Sequence, residues 1–341
     1  MMLSLPALDL RRIGVILVVC LLAPGPHAVA QTVIKLGTIA PEGSIWHDAL
    51  LKIRQAWKEK SGGKVELRIF AGGVLGAEEE LVRKMQRQTI DAVTASGAGL
   101  HTLDSAFNCF SMPVLFERPG EIDHVRERIG PAIEQRLESK GIVVLNWAVA
   151  GMAYFFAKEP VRTPDDLRRR KLWMPPGAPY MDRLYGDFGM RAVPLPATEM
   201  LTGLQTGLID VVPAPPLFAL LDRSYQPAGF MTDLEWGALI AATLVNARSW
   251  ARVPAELRPQ LMQAARDIGL SLRDQARRAE RDAIQQMQAR GLKVVKLTAA
   301  ERAQWSKEAA QAYPKLRGDY CPAELYDTVM DSRESFTGPA K

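Results

Sequence analysis

The chain has 341 residues, 48% of them hydrophobic and 24% charged, with a formal net charge of +5. That balance excludes a disordered chain, and the length excludes a single small module, because roughly 100–200 residues per domain leaves room for two units with their own cores. A nucleic-acid partner is not expected, since the one dense basic run, Arg168-Arg169-Arg170-Lys171, has no interleaved aromatics and reads as a solvated turn edge.

Residues 1–30 read as a signal peptide. Arg11 and Arg12 precede an apolar run over 13–23, well short of the ~20 residues a spanning helix needs, and Ala28-Val29-Ala30 is the small-x-small pattern cut by signal peptidase. An exported chain starting at Gln31 is expected. Lipoprotein processing at Cys20 fits less well, because Val19 is bulky and Leu21 and Leu22 follow. The mature chain keeps 41 basic and 37 acidic residues.

From there the pattern alternates. A strand over 32–37 leads to a helix capped by Ser44 and running to Lys60; a second strand covers 65–70. A glycine-rich turn opens a helix whose first turn holds Glu78, Glu79 and Glu80, where the helix dipole favours acids, and a short strand follows at 91–94. This β-α-β-α-β order predicts an α/β fold with mixed or largely parallel sheets flanked by helices, and a site beyond the carboxyl ends of the strands. A helix over 121–140 and an apolar strand over 142–149 close the first half.

The second alternation begins after Gly151. Thr163-Pro164-Asp165-Asp166 starts a short helix, with strands at 171–174, 191–194 and 208–212 and helices at 179–188 and 198–205 between them. Between Pro254 and Gly291, Leu257, Leu261, Ala264, Ile268, Leu272, Ala276, Ala279, Ala283 and Met287 recur at helical spacing. A helix of that length, ~50 Å, exceeds the width of one small domain and is expected to span both. Thr298 to Glu301 is a capping box and Pro322 opens a last helix. The expected division is 31–150 with about 240–280 as lobe I, and 151–239 with about 281–341 as lobe II.

Catalytic patterns are missing. His47, His101 and His124 stand at no metal-ligand spacing, and there is no G-x-S-x-G elbow, Walker loop or dinucleotide fingerprint, so neither an enzyme nor a metal or other cofactor is expected. Ser96-Gly97-Ala98-Gly99 is a mild anion-loop candidate, and Asp165-Asp166 is explained by helix capping. Cys109 and Cys321 fit either one bridge or two buried thiols.

Several segments resemble the DctP family, the extracytoplasmic solute receptors of TRAP (tripartite ATP-independent periplasmic) transporters. They are Phe70-Ala71-Gly72-Gly73-Val74-Leu75-Gly76, Met112-Pro113-Val114-Leu115-Phe116, Pro160-Val161-Arg162-Thr163-Pro164-Asp165-Asp166-Leu167, Lys171-Leu172-Trp173-Met174-Pro175, and Glu199 with Leu204-Gln205-Thr206-Gly207-Leu208-Ile209-Asp210. The resemblance implies a two-lobed periplasmic binding protein of type II character, bridged by the long helix, which closes on a small-molecule ligand and delivers it to TRAP membrane subunits. It also implies an arginine that grips an organic acid, and at that position this chain has Trp173. Ala153 and Ala214 stand where members carry another arginine and an asparagine, and Ala197 where many carry a pocket phenylalanine.

Indole has one N–H and no charge, so it cannot replace a guanidinium fork on a carboxylate. The expectation is a wider, apolar, aromatic-lined cleft formed by Trp46, Trp147, Tyr154, Trp173 and Phe218 around Ala153, Ala197 and Ala214. Glu78 adds a carboxylate from its helix start, or serves only the helix dipole. A hydrophobic or aromatic ligand is favoured over an organic acid, which Arg168 to Arg170 would have to clamp. The receptor is expected to act as a monomer; the alternative is the same fold reused as a sensor or envelope interaction component.

Overall fold

The computed structural model describes residues 31–338 apart from 119, so the expected signal peptide lies outside the described residues. β1 (Thr32–Thr38) buries Ile34 and Leu36, and Ser44 caps α1 (Ile45–Lys60), its Oγ accepting from the His47 N–H at 3.2 Å. Next come β2 (Val65–Phe70), α2 (Glu78–Gln86), β3 (Ala92–Ala95), the short α3 (Gly97–His101), a 3-10 turn at Ser105–Phe110 and α4 (Glu121–Glu138). β4 (Ile142–Ala157) is sixteen residues long, twice the strand expected there.

The second half contains α5 (Pro164–Arg168), β5 (Lys171–Met174), α6 (Pro179–Asp187), β6 (Arg191–Pro194), α7 (Met200–Thr206), β7 (Val211–Ala214), α8 (Pro216–Leu221) and α9 (Tyr225–Ala228). α5 carries a full capping box, Thr163 with Asp166, which accounts for the acidic pair Asp165-Asp166. β8 (Phe230–Thr232), β9 (Gly237–Asn246) and α10 (Ala247–Ala251) lead into α11 (Arg258–Ala289), followed by β10 (Lys293–Val295), α12 (Ala299–Leu316) and α13 (Ala323–Ser335).

The strands order as β2-β1-β3-β9-β4-β7-β5-β6, with β8 pairing both β4 and β10. Within each half the crossovers are parallel, β1 with β2 and β3, and β5 with β6 and β7, as the βαβ alternation requires. β9 and β4 run antiparallel through the middle. β4 pairs β9 from Ile142 to Ala153, with register shifts between Val144 and Asn146 and between Val149 and Gly151, and then pairs β7 from Tyr154 onward. One strand is therefore shared by both halves.

α11 has 32 residues, about 48 Å at 1.5 Å each, and packs on α1 in the first half, on β4, and on α8 in the second. Trp57, fully buried in α1, donates its Nε1–H to the Leu261 carbonyl of α11 at 3.0 Å, so the contact is both apolar and hydrogen-bonded. Ile34, Leu67, Val245 and Trp250 complete that core, while Phe156, Leu204, Val212, Met231 and Met287 form another in the second half. A third, around Phe107, Phe110, Phe155, Trp236 and Trp305, draws on both.

Cys109 and Cys321 are bonded, with Cα atoms 5.0 Å apart, which decides between bridge and thiols. Beside the bridge, Asn108 Nδ2 donates to the Tyr320 carbonyl at 2.7 Å. Among the described residues no helix is long and apolar enough to cross a membrane.

Candidate functional site

A cavity of about 1030 Å³ opens between the two groups of parallel strands. Residues of β1, α1, α2, β3 and α3 line one side, residues of β5, α6, β7 and α8 the other, and β4 and β9 cross its back. In β4 the lining residues are Asn146, Ala148, Ala150 and Ala153. Alternate side chains of a strand face opposite ways, and the irregularity at Gly151 shifts that alternation by one residue.

That geometry sorts the expected walls. Trp46, Trp173, Phe218, Ala153, Ala197, Ala214 and Glu78 all line the cavity. Tyr154 and Trp147 do not: they belong to the other face of β4. Trp147 packs against Phe107 and Phe110, with ring centroids 5.6 and 6.3 Å away, and donates its Nε1–H to Glu134 at 2.7 Å. Tyr154 donates to Glu235 at 2.9 Å and lines a second cavity of about 270 Å³ behind the strand, where Glu280 of α11 also sits.

Trp173 comes from β5, and its Nε1–H is committed to the Leu195 carbonyl at 2.7 Å. What it offers the cavity is ring surface. Trp46, at the start of α1, differs: its buried Nε1–H has no hydrogen-bond partner. A buried donor left unmade is costly, so a ligand acceptor there gains more than one meeting a satisfied group.

Glu78 heads α2 and points its carboxylate at the turn after β3. Ser96 donates to it from both N–H and Oγ, at 2.9 and 3.0 Å, and the Gly99 N–H donates at 3.1 Å. The glycine-bearing turn thus holds the protein's own carboxylate. A Cβ added at Gly99 would lie 2.9 Å from that of Glu78, so the approach depends on glycine. Burial outweighs these hydrogen bonds and raises the Glu78 carboxyl to about 7.

The remaining polar lining was not singled out in the sequence. His101 packs against Tyr180, centroids 4.2 Å apart and ring planes tilted by 49°, and burial lowers its imidazole to about 3, keeping it neutral. Tyr180 packs in turn near Tyr320, at 6.1 Å. Tyr185 is buried with its hydroxyl beside the Trp236 indole, whose N–H supports the phenol oxygen and opposes the upward shift that burial imposes. Asp222, raised to about 6 by burial, stands at the α8 end. In the sequence His101 stands at no metal-ligand spacing and the α6 tyrosines carry no motif, so nothing local marks them.

The charge balance is acidic. Glu78, Glu79, Glu80 and Asp222 line the cavity against Arg83, the one arginine or lysine among the described lining residues, and Arg83 is exposed. The expected clamp from Arg168 to Arg170 is not there. Arg168 pairs with Asp165 at 2.6 Å and with Glu308, Arg169 with Asp166, and Arg170 with Glu159, and none of the three lines the cavity. These guanidiniums are spent on neighbouring acids at the outer edge of the second half.

Residues 36–319 match the family described as bacterial extracellular solute-binding protein, family 7, or DctP. Among curated relatives, the 2,3-diketo-L-gulonate-binding periplasmic protein YiaO of Escherichia coli strain K12 is 22% identical over 270 residues, 79% of this chain and 82% of that protein. The C4-dicarboxylate-binding periplasmic protein DctP of Rhodobacter capsulatus is 23% identical over 294 residues, 85% of this chain and 88% of that one. Among solved structures, the sugar acid binding protein DctPAm of Advenella mimigardefordensis, in complex with galactonate, superposes with a TM-score of 0.83 at 21% identity, covering 89% of this chain and 98% of its own. A TRAP periplasmic solute binding protein of Xanthobacter autotrophicus PY2 with bound β-D-galacturonate gives 0.81 at 20%, covering 89% and 100%. Two strand groups around one cavity, a shared central strand and a spanning helix are thus a known arrangement, and the chain belongs to the DctP family of extracellular solute-binding proteins, which are receptors and not enzymes.

Proposed function

We propose that the protein is the periplasmic receptor of a TRAP transporter, that it captures a small organic solute by closing its two halves on the cavity, and that the solute has a substantial apolar or flat body. One observation carries the ligand class. At Trp173 the cavity presents an indole face whose N–H is already bonded to the Leu195 carbonyl, and a carboxylate gains nothing from it. Burying a carboxylate among Glu78, Glu79 and Asp222 with only an exposed Arg83 as a cation costs several kcal/mol, of which the free Trp46 N–H, an uncharged donor, offsets only part. Trp46 and Phe218 add ring surface, and a volume of about 1030 Å³ lies at the upper end of the roughly 300–1,000 Å³ common for drug-sized ligands.

Closure needs a hinge and contacts from both halves, since a ligand shifts the equilibrium only by what it binds better in the closed state. The cavity draws on both, and β4 with β9 supplies the crossing. The lobe boundaries proposed from the sequence place the hinge at 150–151, beside the Gly151 irregularity.

The test is a thermal-shift screen of the mature chain against 2-ethylnaphthalene, long-chain acyl alcohols and D-glucuronate. A ligand at 100 times its Kd adds about 2.7 kcal/mol. Stabilisation by the apolar compounds, lost in Trp173→Ala, supports the reading; stabilisation by D-glucuronate that Trp173→Ala leaves intact refutes it. A sugar acid is the second reading, favoured by the galacturonate and galactonate bound to the similar structures. It requires Arg83 to swing inward, so D-glucuronate binding would then vanish in Arg83→Ala.

A further inference from the structure

The C-terminal part of the chain passes from the second half back to the first. α12 begins on the second half, where the Trp305 Nε1–H donates to the Arg162 carbonyl at 2.8 Å and Arg302 pairs with Asp233 at 3.0 Å. It ends on the first, where the Tyr313 hydroxyl donates to the Pro113 carbonyl at 2.8 Å, and beyond it α13 packs on α4. Between α12 and α13 lie Asp319, Tyr320 and Cys321, three consecutive residues that touch both halves.

On the first half the hold is firm. Cys321 is bonded to Cys109, and Asn108, next to that cysteine, donates its Nδ2–H to the Tyr320 carbonyl at 2.7 Å. The hydrogen bond exchanges readily with water; the covalent bond does not. Toward the second half the contacts come from side chains of α6. Arg183 pairs with Asp319 at 2.7 Å, but both are exposed, so this pair adds little in salt. The rings carry more: Tyr180 lies 6.1 Å from Tyr320, within the range of favourable ring pairs, and 4.2 Å from His101 of α3. His101, Tyr180 and Tyr320 all line the cavity.

We propose that Asp319, Tyr320 and Cys321 form a clasp for α6: the Cys109–Cys321 bond fixes Tyr320 on the first half, Tyr180 docks against it, and the contact sets how firmly the halves hold together over the cavity. β4, β9 and α11 also join the halves, but as continuous backbone, which bends without choosing an angle. A side-chain contact can form and part, so it biases one angle over others by what it contributes in that arrangement alone. The disulfide is a positioning device here. Without it, Tyr320 keeps its place by hydrogen bonds only, and the surface offered to Tyr180 is less well defined. This inference rests on the hinge-closure reading and is independent of the ligand's chemistry.

Double electron–electron resonance on the unliganded mature chain tests it, with nitroxides at Lys52→Cys of α1 and Thr202→Cys of α7, both exposed and outside the cavity lining. With the native pair bonded, these are the only free thiols of the mature chain. Tyr180→Ala and Cys109→Ser/Cys321→Ser should each raise the ratio of long to short distances roughly 2- to 10-fold, the amount one lost ring pair supplies. Combining them should add little, because both undo the same contact. Leu67→Ala, a truncation in the core of the first half, weakens the fold but should leave the distances unchanged. Clasp variants that match the labelled parent, or a Leu67→Ala protein that opens as far as they do, overturn the proposal. D-glucuronate and 2-ethylnaphthalene separate the two readings. If either shortens the distance while the clasp variants do not lengthen it, hinge closure stands without the clasp; if nothing moves the distance, both fall.

Discussion

Replacing Glu280 by glutamine should remove a large part of the protein's alkaline instability. Glu280 projects from α11 into the smaller cavity behind β4, and its Oε1 is buried with no hydrogen-bond partner. Burial, reinforced by the neighbouring Glu235, raises its carboxyl from 4.5 to about 8, although the Met152 N–H opposes the shift. Tyr154 faces it with a hydroxyl bonded to Glu235, and Arg273, Arg277 and Arg281 line the same cavity; Arg277 is engaged by Asp123 at 2.6 Å. Between pH 4.5 and about 8 the folded protein holds a proton that the unfolded chain has released, so stability falls as pH rises through this window. At about 1.4 kcal/mol per pKa unit, the loss from this group is on the order of 4–5 kcal/mol. Glutamine keeps the shape without the charge. Glu78 and Asp222, also raised by burial, titrate in the same direction in both proteins, so the difference isolates Glu280. Urea unfolding at pH 5.5 and pH 9 is the assay. Glu280→Gln should exceed the wild type by about 1.4 kcal/mol at pH 5.5, one unit above the unfolded value, and by on the order of 4–5 kcal/mol at pH 9. A difference that stays constant across the range would mean that Glu280 is ionised in the fold, and the reasoning would fail.

Two further outcomes follow from covalent and backbone geometry. Reducing the Cys109–Cys321 bond, which spans 212 positions, should lower the unfolding free energy by ~2–5 kcal/mol, read as a drop in the thermal midpoint with dithiothreitol that the Cys109→Ser/Cys321→Ser double variant does not show. Gly151→Ala should destabilise by roughly 2 kcal/mol or more, since its φ is 143° and an added Cβ would fall 1.8 Å from Glu280 Oε1; combining it with Glu280→Ala should recover part of the loss, and strictly additive effects would show that the contact does not matter.

What the sequence disclosed depended on how local each feature is. α11 was plain because nine apolar residues repeat at helical spacing, and β2, β5 and β6 appeared at their observed bounds because turn residues flank them. β9 passed unread. Its run of Gly-Ala-Leu-Ile-Ala-Ala-Thr-Leu-Val-Asn is buried on both faces, so it shows no alternation, and nothing in it tells a strand from a short buried helix. The same lack of contrast hid the second half of β4, which continues past the point where the first fold unit seemed to end.

The site divided on similar lines. Trp173, Trp46, Phe218 and the three alanines were found because each stands at a recognisable motif or element start, and the structure brings them to one cavity. The structure puts Trp147 and Tyr154 on the face of β4 away from the cavity: Trp147 by simple alternation with Asn146 and Ala148, and Tyr154 because the parity changes at an irregularity that the sequence marks only by a glycine. His101 of α3 and Tyr180 of α6 meet ring to ring from some eighty residues apart, and no local pattern announces such a meeting.

The cystine between the 3-10 turn and the segment before α13 also sets an order of assembly. Cys109 precedes its partner by 212 positions, so a chain delivered N-terminus first presents this thiol well before Cys321 is there to pair with it. The native bond closes only where the segment after α12 lies alongside the 3-10 turn, with the two Cα atoms 5.0 Å apart. The bond therefore ties the C-terminal segment to the first half, and an oxidant acting before Cys321 is available would find no correct partner for Cys109 to join.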